Sequence, residues 1–479
     1  MSEFYKRKDY DVFKDVVCLD ETGFTVNGEE KNFSDWAKSL KTYRRKKKYY
    51  IFVNNLFNLK GWKLKLYNEV SHHDEFTGQL IYSETEKAIW VDFKFFCGGL
   101  GIKEISEIFG FKGTACQIMT EYIKYRRDNG FNFKTSQISI TQYVMKNFNS
   151  LFTEDELNEL KLEMNYHVLN QSTLKHLMLQ NGKPNLGAKP GFYNKAQGRD
   201  ISSDFAGIMI RLPNYPVGKI LPCDLEKVIQ CIKEEKWCAI VIEDGTTLEL
   251  YDIKRLYLNG INVFNMNITA CYYCTKCNYL HKIFRDKLVD IYNKKELSSG
   301  AEKLTYKRIL NTTYGYGLRR SLNEYFSKGK FLHKPSFYLT PAISGHTVAY
   351  ARYYLERMKR MFKNVVYHDT DCIKTTDENA DEIFAAENER IRMAVKKAGY
   401  DCSIGQWKKE SDGRLIVYGE KKYAYETSDG FVCKLAGCNK NWEQIESFDE
   451  LLKLNAIKNG ICLGGNKFVD YPLGKDCYI

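Results

Sequence analysis

Apolar positions fall in short runs broken by polar residues, and three stretches of the chain carry clear patterning. Val365, Val366 and Tyr367 form a β-prone run that Cys372 and Ile373 resume, so the acidic tip between them predicts a hairpin. Leu280, Ile283, Phe284, Leu288 and Ile291 recur at helical spacing, a Ser-Ser-Gly turn follows, and residues 301–315 (AEKLTYKRILNTTYG) predict a second helix. On that helix Lys303, Lys307, Asn311 and Tyr314 are spaced so that, at about 3.6 residues per turn, they share one face. In ISSDFAGIMIRLPNYP (201–216), Asp204 follows a short strand-like approach and precedes an apolar stretch. No apolar run reaches membrane-spanning length, and the charged start MSEFYKRKDYDVF lacks a secretory apolar core, so the sequence reads as a soluble cytoplasmic protein without a membrane partner.

Composition narrows the class. A chain of 479 residues, 44% of them hydrophobic, can bury several cores, and at about 150 residues per domain it predicts two to four domains. Lys and Arg number 72 against 60 Asp and Glu, a formal charge of +12 that favours polyanionic partners but fits a merely basic soluble protein equally well. Fifteen cysteines spread through so long a chain read as reduced, buried thiols. The densest basic block, KTYRRKKKYY (41–50), reads first as a solvated face and second as a track for single-stranded nucleic acid with flanking tyrosines for stacking.

Two constellations carry candidate metal chemistry. Asp369 and Asp371 leave the same face of an extended chain, and like charges so placed are costly unless a cation sits between them. Hard oxygen ligands of this kind suit Mg2+ or Mn2+; the plain alternative is a surface turn capped by Asp-Thr-Asp. Cys271, Cys274, Cys277 and His281 have the spacing of a zinc or iron–sulfur ligand set. On one continuous helix they would instead form a buried apolar stripe, and since no glycine or proline interrupts YYCTKCNYLH the stripe is the favoured reading. The lysine face of the second helix, ending in Tyr314, suits a triphosphate with a stacked base, against the default of a solvated face.

In chain order, Asp204 with its apolar tail, KRILNTTYG (307–315), YHDTDC (367–372) and EKKY (420–423) resemble motifs A, B and C and the Lys-x-Tyr motif of family B DNA polymerases. SFYLTPAISGHTVAYAR (336–352) and FVCKLAG (431–437) are similar to the protein-primed phage branch, and the resemblance is clear from about Lys189 onward. It implies an α/β (α+β) fold: a right hand of palm, fingers and thumb preceded by a ribonuclease H-like exonuclease-type domain. The implied domains are the exonuclease-like 1–135, palm 136–216 and 339–437, a shortened insertion 217–278, fingers 279–318, a reduced second insertion 319–338, and thumb 438–479. Carried over residue by residue, Asp204 and Asp371 would hold two Mg2+ (or Mn2+) ions with Asp369 beside them. Lys303, Lys307, Asn311, Tyr314, Phe205 and Met209 would surround the incoming nucleotide, and Lys421, Tyr423 and Lys434 would grip primer and DNA. The activity implied is DNA-directed DNA synthesis from dNTPs on a primer–template, one metal activating the primer 3′-hydroxyl and the other stabilising pyrophosphate, with a terminal protein as primer in a phage or mobile element.

Departures from the family pattern matter as much. The motif A tyrosine that excludes a 2′-hydroxyl is replaced by Met209, which predicts looser sugar discrimination. Near the exonuclease motifs lie VVCLDETGF (16–24), YIFVNNLFNLKG (50–61) and TEYIKYRRD (120–128). Asp20 and Glu21 are adjacent and would point to opposite faces of a strand; Asn55 and Asn58, or Leu59, stand where an aspartate is expected; Arg126 occupies the third acidic position, with Asp128 two residues late. Loss of hydrolysis is expected, the alternative being a shifted site built on Asp20, Asp92 and Asp128. The link between nuclease and palm is altered to Ala188-Lys189-Pro190-Gly191, and the segment from Gly315 to Thr340 has room only for a small hairpin. A template-independent or specialised nucleotidyltransferase and an inactive nucleic-acid-binding homologue stay open beside the polymerase.

Overall fold

In the computed structural model the described residues are 16–20, 23–32, 35–36, 49–54, 70–73, 80–84, 88–129, 144, 148–164, 186–315, 324–327, 330–333, 341–428, 430–435 and 447–452. Glu21, Asn55, Asn58 and Leu59, most of KTYRRKKKYY and most of 438–479 lie outside them. The chain divides into one unit made of residues 1–152 with 295–312, and a second made of 153–294 with 313–479.

The first unit is built on β1 (Val17–Leu19), β2 (Phe24–Val26), β3 (Glu29–Glu30), β4 (Tyr49–Val53), β5 (Val70–His73), β6 (Leu80–Glu84) and β7 (Ala88–Asp92), ordered β3-β2-β1-β4-β7-β6-β5. β1, β4 and β7 run parallel, and such strands are buried on both faces, which is why Val17–Leu19 and Ala88–Asp92 read as unbroken buried runs. Three helices follow: α1 (Phe93–Phe96), α2 (Ile102–Phe109) and α3 (Ala115–Asp128). Thr114 and Gln117 cap α3 reciprocally, and its Tyr122 packs edge-on against Phe93 and Phe96.

The second unit opens with α4 (Glu154–Met164), β8 (Leu186–Ala188) and β9 (Gly191–Ile201), then α5 (Asp204–Arg211), β10 (Tyr215–Pro216), β11 (Ile220–Pro222), α6 (Leu225–Lys233), β12 (Cys238–Ile242) and β13 (Thr247–Glu249). α7 (Leu250–Leu258), β14 (Ile268–Cys274), β15 (Cys277–Asn278) and α8 (Lys282–Leu297) come next in the chain, followed by α9 (Gly300–Thr313), nearly all of which belongs to the first unit. After them lie β16 (Glu324–Ser327), β17 (Lys330–His333), α10 (Pro341–Lys359), β18 (Val365–Asp369), β19 (Cys372–Thr375), α11 (Ala380–Lys397), β20 (Trp407–Gly419), β21 (Lys422–Thr427) and β22 (Gly430–Leu435). The chain passes between the units within α8 and at the end of α9, where the expected helix pair is found. β16 and β17 make the small hairpin for which 315–340 has room.

The central sheet of this unit is antiparallel, ordered β22-β21-β20-β9-β19-β18-β8. β9 is its middle strand, paired with β20 on one side and β19 on the other, and it hands the chain directly to α5. The predicted acidic hairpin is β18 paired with β19, with Asp369 opposite Cys372. A separate four-stranded sheet, β11-β14-β12-β13, encloses Trp237, Ala239, Val241 and Tyr272. Phe448 and Leu451, from the C-terminal region, pack under Ile416 and Tyr418 of β20.

The cysteine cluster is not on a helix. Ile-Thr-Ala-Cys-Tyr-Tyr-Cys, rich in β-formers, is strand β14, and Cys277 begins β15. Cys271 and Cys274 are three apart on one strand, so they face opposite sides, and Cys274 joins the Trp237 core. Cys277 Sγ accepts from the Trp237 backbone amide at 3.3 Å, while His281 Nε2 lies 3.2 Å from Glu159. The four residues therefore do not converge as one ligand set, and the apolar-stripe reading gives way to strand parity.

Candidate active site

Asp204 is placed by the junction of β9 and α5. Ser203, just before it, has φ of 55°, in the left-handed region that non-glycine residues rarely adopt, and this sharp turn directs the first residue of α5 inward. Asp204 is 3% exposed and neither carboxylate oxygen has a hydrogen-bond partner among the described residues. Burial pushes its pKa up to about 7, Arg211 opposing and Asp200 adding to the shift. Thr370, at the tip of the β18–β19 hairpin, is likewise left-handed, with φ of 51°, and Lys421 between β20 and β21 has φ of 58°. Backbone strain thus gathers beside three of the expected site residues, as it does at functional sites.

The tight turn places Asp369 and Asp371 at a hairpin tip instead of on an extended strand, since the pairing of Asp369 with Cys372 leaves only two residues between them. Asp369 accepts hydrogen bonds from Thr370 Oγ1 (3.0 Å) and Tyr367 OH (3.4 Å). Asp371 is pushed up to about 8 by burial and by the neighbouring charges of Asp200, Asp204 and Asp369. Four carboxylates consequently repel one another across one region, and the oxygens of the most buried have no donor. Oxygen ligands without donors, in a concentration of negative charge, fit hard divalent cations.

Asp200 was not among the expected residues. Its signal was present in the sequence, four residues before Asp204 on a strand that ends at the acids, but nothing distinguished it there from a surface acid. A cavity of about 300 Å³ joins Asp369 and Asp371 to Asp200, Lys421, Tyr423 and Lys434. Behind two of its lining residues, Glu410 and Tyr423, lies a second unforeseen group. Lys374 is fully buried and donates to Glu410 at 2.6 Å, lying 4.8 Å from the Tyr423 ring centre and 4.7 Å from that of Tyr425. Glu410 also accepts from Lys434, and its two lysines hold its carboxyl down at about 2 against the opposing effect of burial.

Tyr314 and Phe205 stack with ring centres 3.7 Å apart and planes at 19°. Burial, with the charges of Asp371 and Asp204, raises the Tyr314 hydroxyl pKa, which puts the aromatic pair in the same electrostatic field as the acids. Met209 does not join it: the side chain is fully buried in α5, five positions on from Asp204 and turned into the core. Of the two α5 residues expected at the nucleotide, Phe205 joins the aromatic pair and Met209 is buried. Lys303, Lys307 and Asn311 are exposed along α9, as expected of one solvated face, and belong to the first unit.

In the first unit, Asp20 and Asp92 stand at the carboxyl ends of the parallel strands β1 and β7. Asp20 Oδ1 accepts from the Gly23 amide and Asp92 Oδ1 from the Phe95 amide, each at 2.8–2.9 Å. Arg126 is 1% exposed, donates to the Phe96 carbonyl and lies 3.6 Å over the Phe96 ring. The Asp128 carboxylate is exposed and pairs at 3.7 Å with Arg127. Among the described residues no group of three acidic, histidine or cysteine side chains is placed to hold a metal as the chain stands. Nor, among them, is any helix long and apolar enough to cross a membrane.

No protein-family model matches the sequence, and no curated protein matches it. Solved structures do. Phi29 DNA polymerase complexed with single-stranded DNA superposes with a TM-score of 0.62 at 14% identity, covering 89% of this chain and 90% of that one. Its orthorhombic crystal form gives 0.59 at 13% over 91% and 93%, and its ternary complex with primer-template DNA and incoming nucleotide gives 0.58 at 14% over 89% of each chain. By fold, the chain resembles phi29 DNA polymerase, a protein-primed family B enzyme, over about nine tenths of its length.

Proposed function

We propose that the protein is a DNA-directed DNA polymerase that extends a primer 3′-hydroxyl with deoxynucleotides. The observation that carries this reading is Asp204: a carboxylate buried at the end of the central strand, both oxygens without a donor among the described residues, in the field of Asp200 and Asp371. Asp204 and Asp371 are the residues assigned to hold two Mg2+ or Mn2+ ions, with Asp369 oriented beside them by Thr370 and Tyr367. Such ions, when bound, neutralise phosphate charge and lower the pKa of an attacking hydroxyl. The protein's own part is positional. The Phe205–Tyr314 stack is an apolar wall for the sugar and nascent base pair. Lys303, Lys307 and Asn311 are assigned to the triphosphate, and Lys421 and Lys434 to the primer backbone, with Glu410 and buried Lys374 fixing Lys434 in place. The primer oxygen displaces pyrophosphate in line, a reaction that asks for alignment and charge neutralisation more than for a covalent group.

The same reading assigns no proofreading to the first unit. Asp20 and Asp92 are taken up by backbone amides, and a buried arginine stands at the third acidic position. Priming by a terminal protein, in a phage or mobile element within a bacterial cytoplasm, is proposed from the fold likeness. The test is extension of a labelled primer on a DNA template in Mg2+ or Mn2+. Template-dependent products support the reading, and their absence in both metals with oligonucleotide and protein primers alike rejects it.

A further inference from the structure

A second cavity, of about 560 Å³, lies in the same unit and shares no lining residue with the acidic one. That volume is within the range of about 300–1,000 Å³ usual for small-molecule sites. One side is aromatic: Tyr350 and Tyr354 lie parallel with ring centres 6.0 Å apart, and Tyr251 meets Tyr350 edge-on at 4.8 Å. The other side is basic, five Lys and Arg side chains facing three glutamates. Four of the five are balanced, Lys236 by Glu234, Lys254 by Glu235, and Arg357 and Arg390 by the single carboxylate of Glu387. Arg211 is not. It is 5% exposed, and neither terminal nitrogen has a hydrogen-bond partner among the described residues.

The Arg211 guanidinium sits in a tight slot. A Cβ added at Gly405 would stand 2.4 Å from Arg211 Nη1, and one at Gly207 2.9 Å from it, so both glycines are needed to clear its slot. Gly405 has φ of 78° and Glu235, on the cavity wall, φ of 54°, each outside the range most side chains accept. The Nε of Arg357 also lacks a partner, and the guanidinium carbons of Arg357 and Arg211 lie 5.2 and 5.8 Å from the Tyr354 ring centre. Excess positive charge beside aromatic faces matches a ligand with an anionic group and a flat ring.

We propose that this cavity is a second binding site, separate from the acidic one, for a nucleoside phosphate: the tyrosines take the base and the arginines balance the phosphate. The assignment shares one group with the polymerase reading, Arg211, whose charge also acts on Asp204; Arg357 and Arg390, the residues varied to test it, lie outside that machinery.

The probe is a fluorescent N-methylanthraniloyl-labelled ATP, titrated into the full-length protein in EDTA. Saturable binding is expected, displaced by unlabelled ATP better than by pyrophosphate or adenosine. The exposed-arginine variant Arg390→Ala, which leaves the core untouched, and Arg357→Gln should each weaken it by about tenfold, the scale of one charge-assisted hydrogen bond. Lys307→Ala should leave it unchanged. No saturable signal, loss in Lys307→Ala with both cavity variants unaffected, displacement by adenosine as effective as by ATP, or displacement by an oligonucleotide alone would each overturn the assignment.

Discussion

The two large sheets of this protein both carry aspartates at strand ends, and the fates of those aspartates differ. In the first unit the Asp20 and Asp92 carboxylates accept backbone amides, closing a turn and capping a helix. In the second, Asp204 has no donor and Asp371 faces three other acids. A buried carboxylate with hydrogen bonds is already paid for by the fold; one without them must take up a proton or meet a cation. Residue type alone is the same in both sheets; the second differs in gathering several acids around Asp204, whose oxygens have no donor among the described residues.

The largest expected effect divides the two sheets by activity. Asp371→Asn or Asp204→Asn should lower primer extension at least about a hundredfold, whereas Asp20→Asn and Asp92→Asn should leave extension within about twofold. A matched incubation without nucleotides should show no shortening of the primer. Shortening that disappears in Asp20→Asn would break the contrast and restore a working nuclease to the first unit.

Next in size is a stability effect around the second sheet. Glu410→Ala strands the fully buried Lys374 ammonium and should cost about 3 kcal/mol in urea unfolding. The double change Lys374→Met/Glu410→Ala should recover much of that loss. Equal destabilisation by the single and double variants would show that Lys374 is satisfied without Glu410.

Sugar discrimination sharpens the comparison within α5. Phe205→Ala should reduce discrimination against ribonucleotides by about tenfold, because it removes half of the stack with Tyr314. Met209→Ala should instead cost about 2–3 kcal/mol of stability with discrimination unchanged, as expected for a fully buried side chain. Reversal of those two outcomes would return the role to Met209.

The smallest effect is on pH. The carboxyls of Asp204 and Asp371, raised to about 7 and about 8, favour the protonated form in the folded protein. The unfolded chain releases these protons near pH 4, so metal-free stability contributed by the pair falls as pH rises from about 4 to about 8. Melting temperatures in EDTA should drop over that interval, the drop should flatten in Asp204→Asn/Asp371→Asn, and Mg2+ should protect more at pH 8 than at pH 6. An identical slope in wild type and double variant would refute the shared-charge account.

Much of this was legible in the sequence because short-range patterns specify it. The hairpin around Asp369 and Asp371 and the helix pair at 282–313 follow from β-prone runs and helical periodicity. The cysteine segment misled because a three-residue spacing suits a helix turn as well as a strand, and only the tertiary pairing of β14 with β11 and β12 decided between them. Asp200, Lys374 and Glu410 were not visible because their meaning comes from strand register: Asp200 opposite Cys372 and Lys408, and Glu410 reaching Lys374 from the adjoining part of the sheet. The burial of Met209 was not visible for a related reason, since the offset from Asp204 fixes position along a helix but not which face the core claims.

The most direct test is Mn2+ binding by electron paramagnetic resonance, comparing the wild-type protein with Asp204→Asn/Asp371→Asn and Asp20→Asn/Asp92→Asn. Binding that is lost in the first pair and kept in the second is the predicted result. Binding that survives the first pair and vanishes in the second would contradict the account, placing the cations in the sheet whose acids are already hydrogen-bonded.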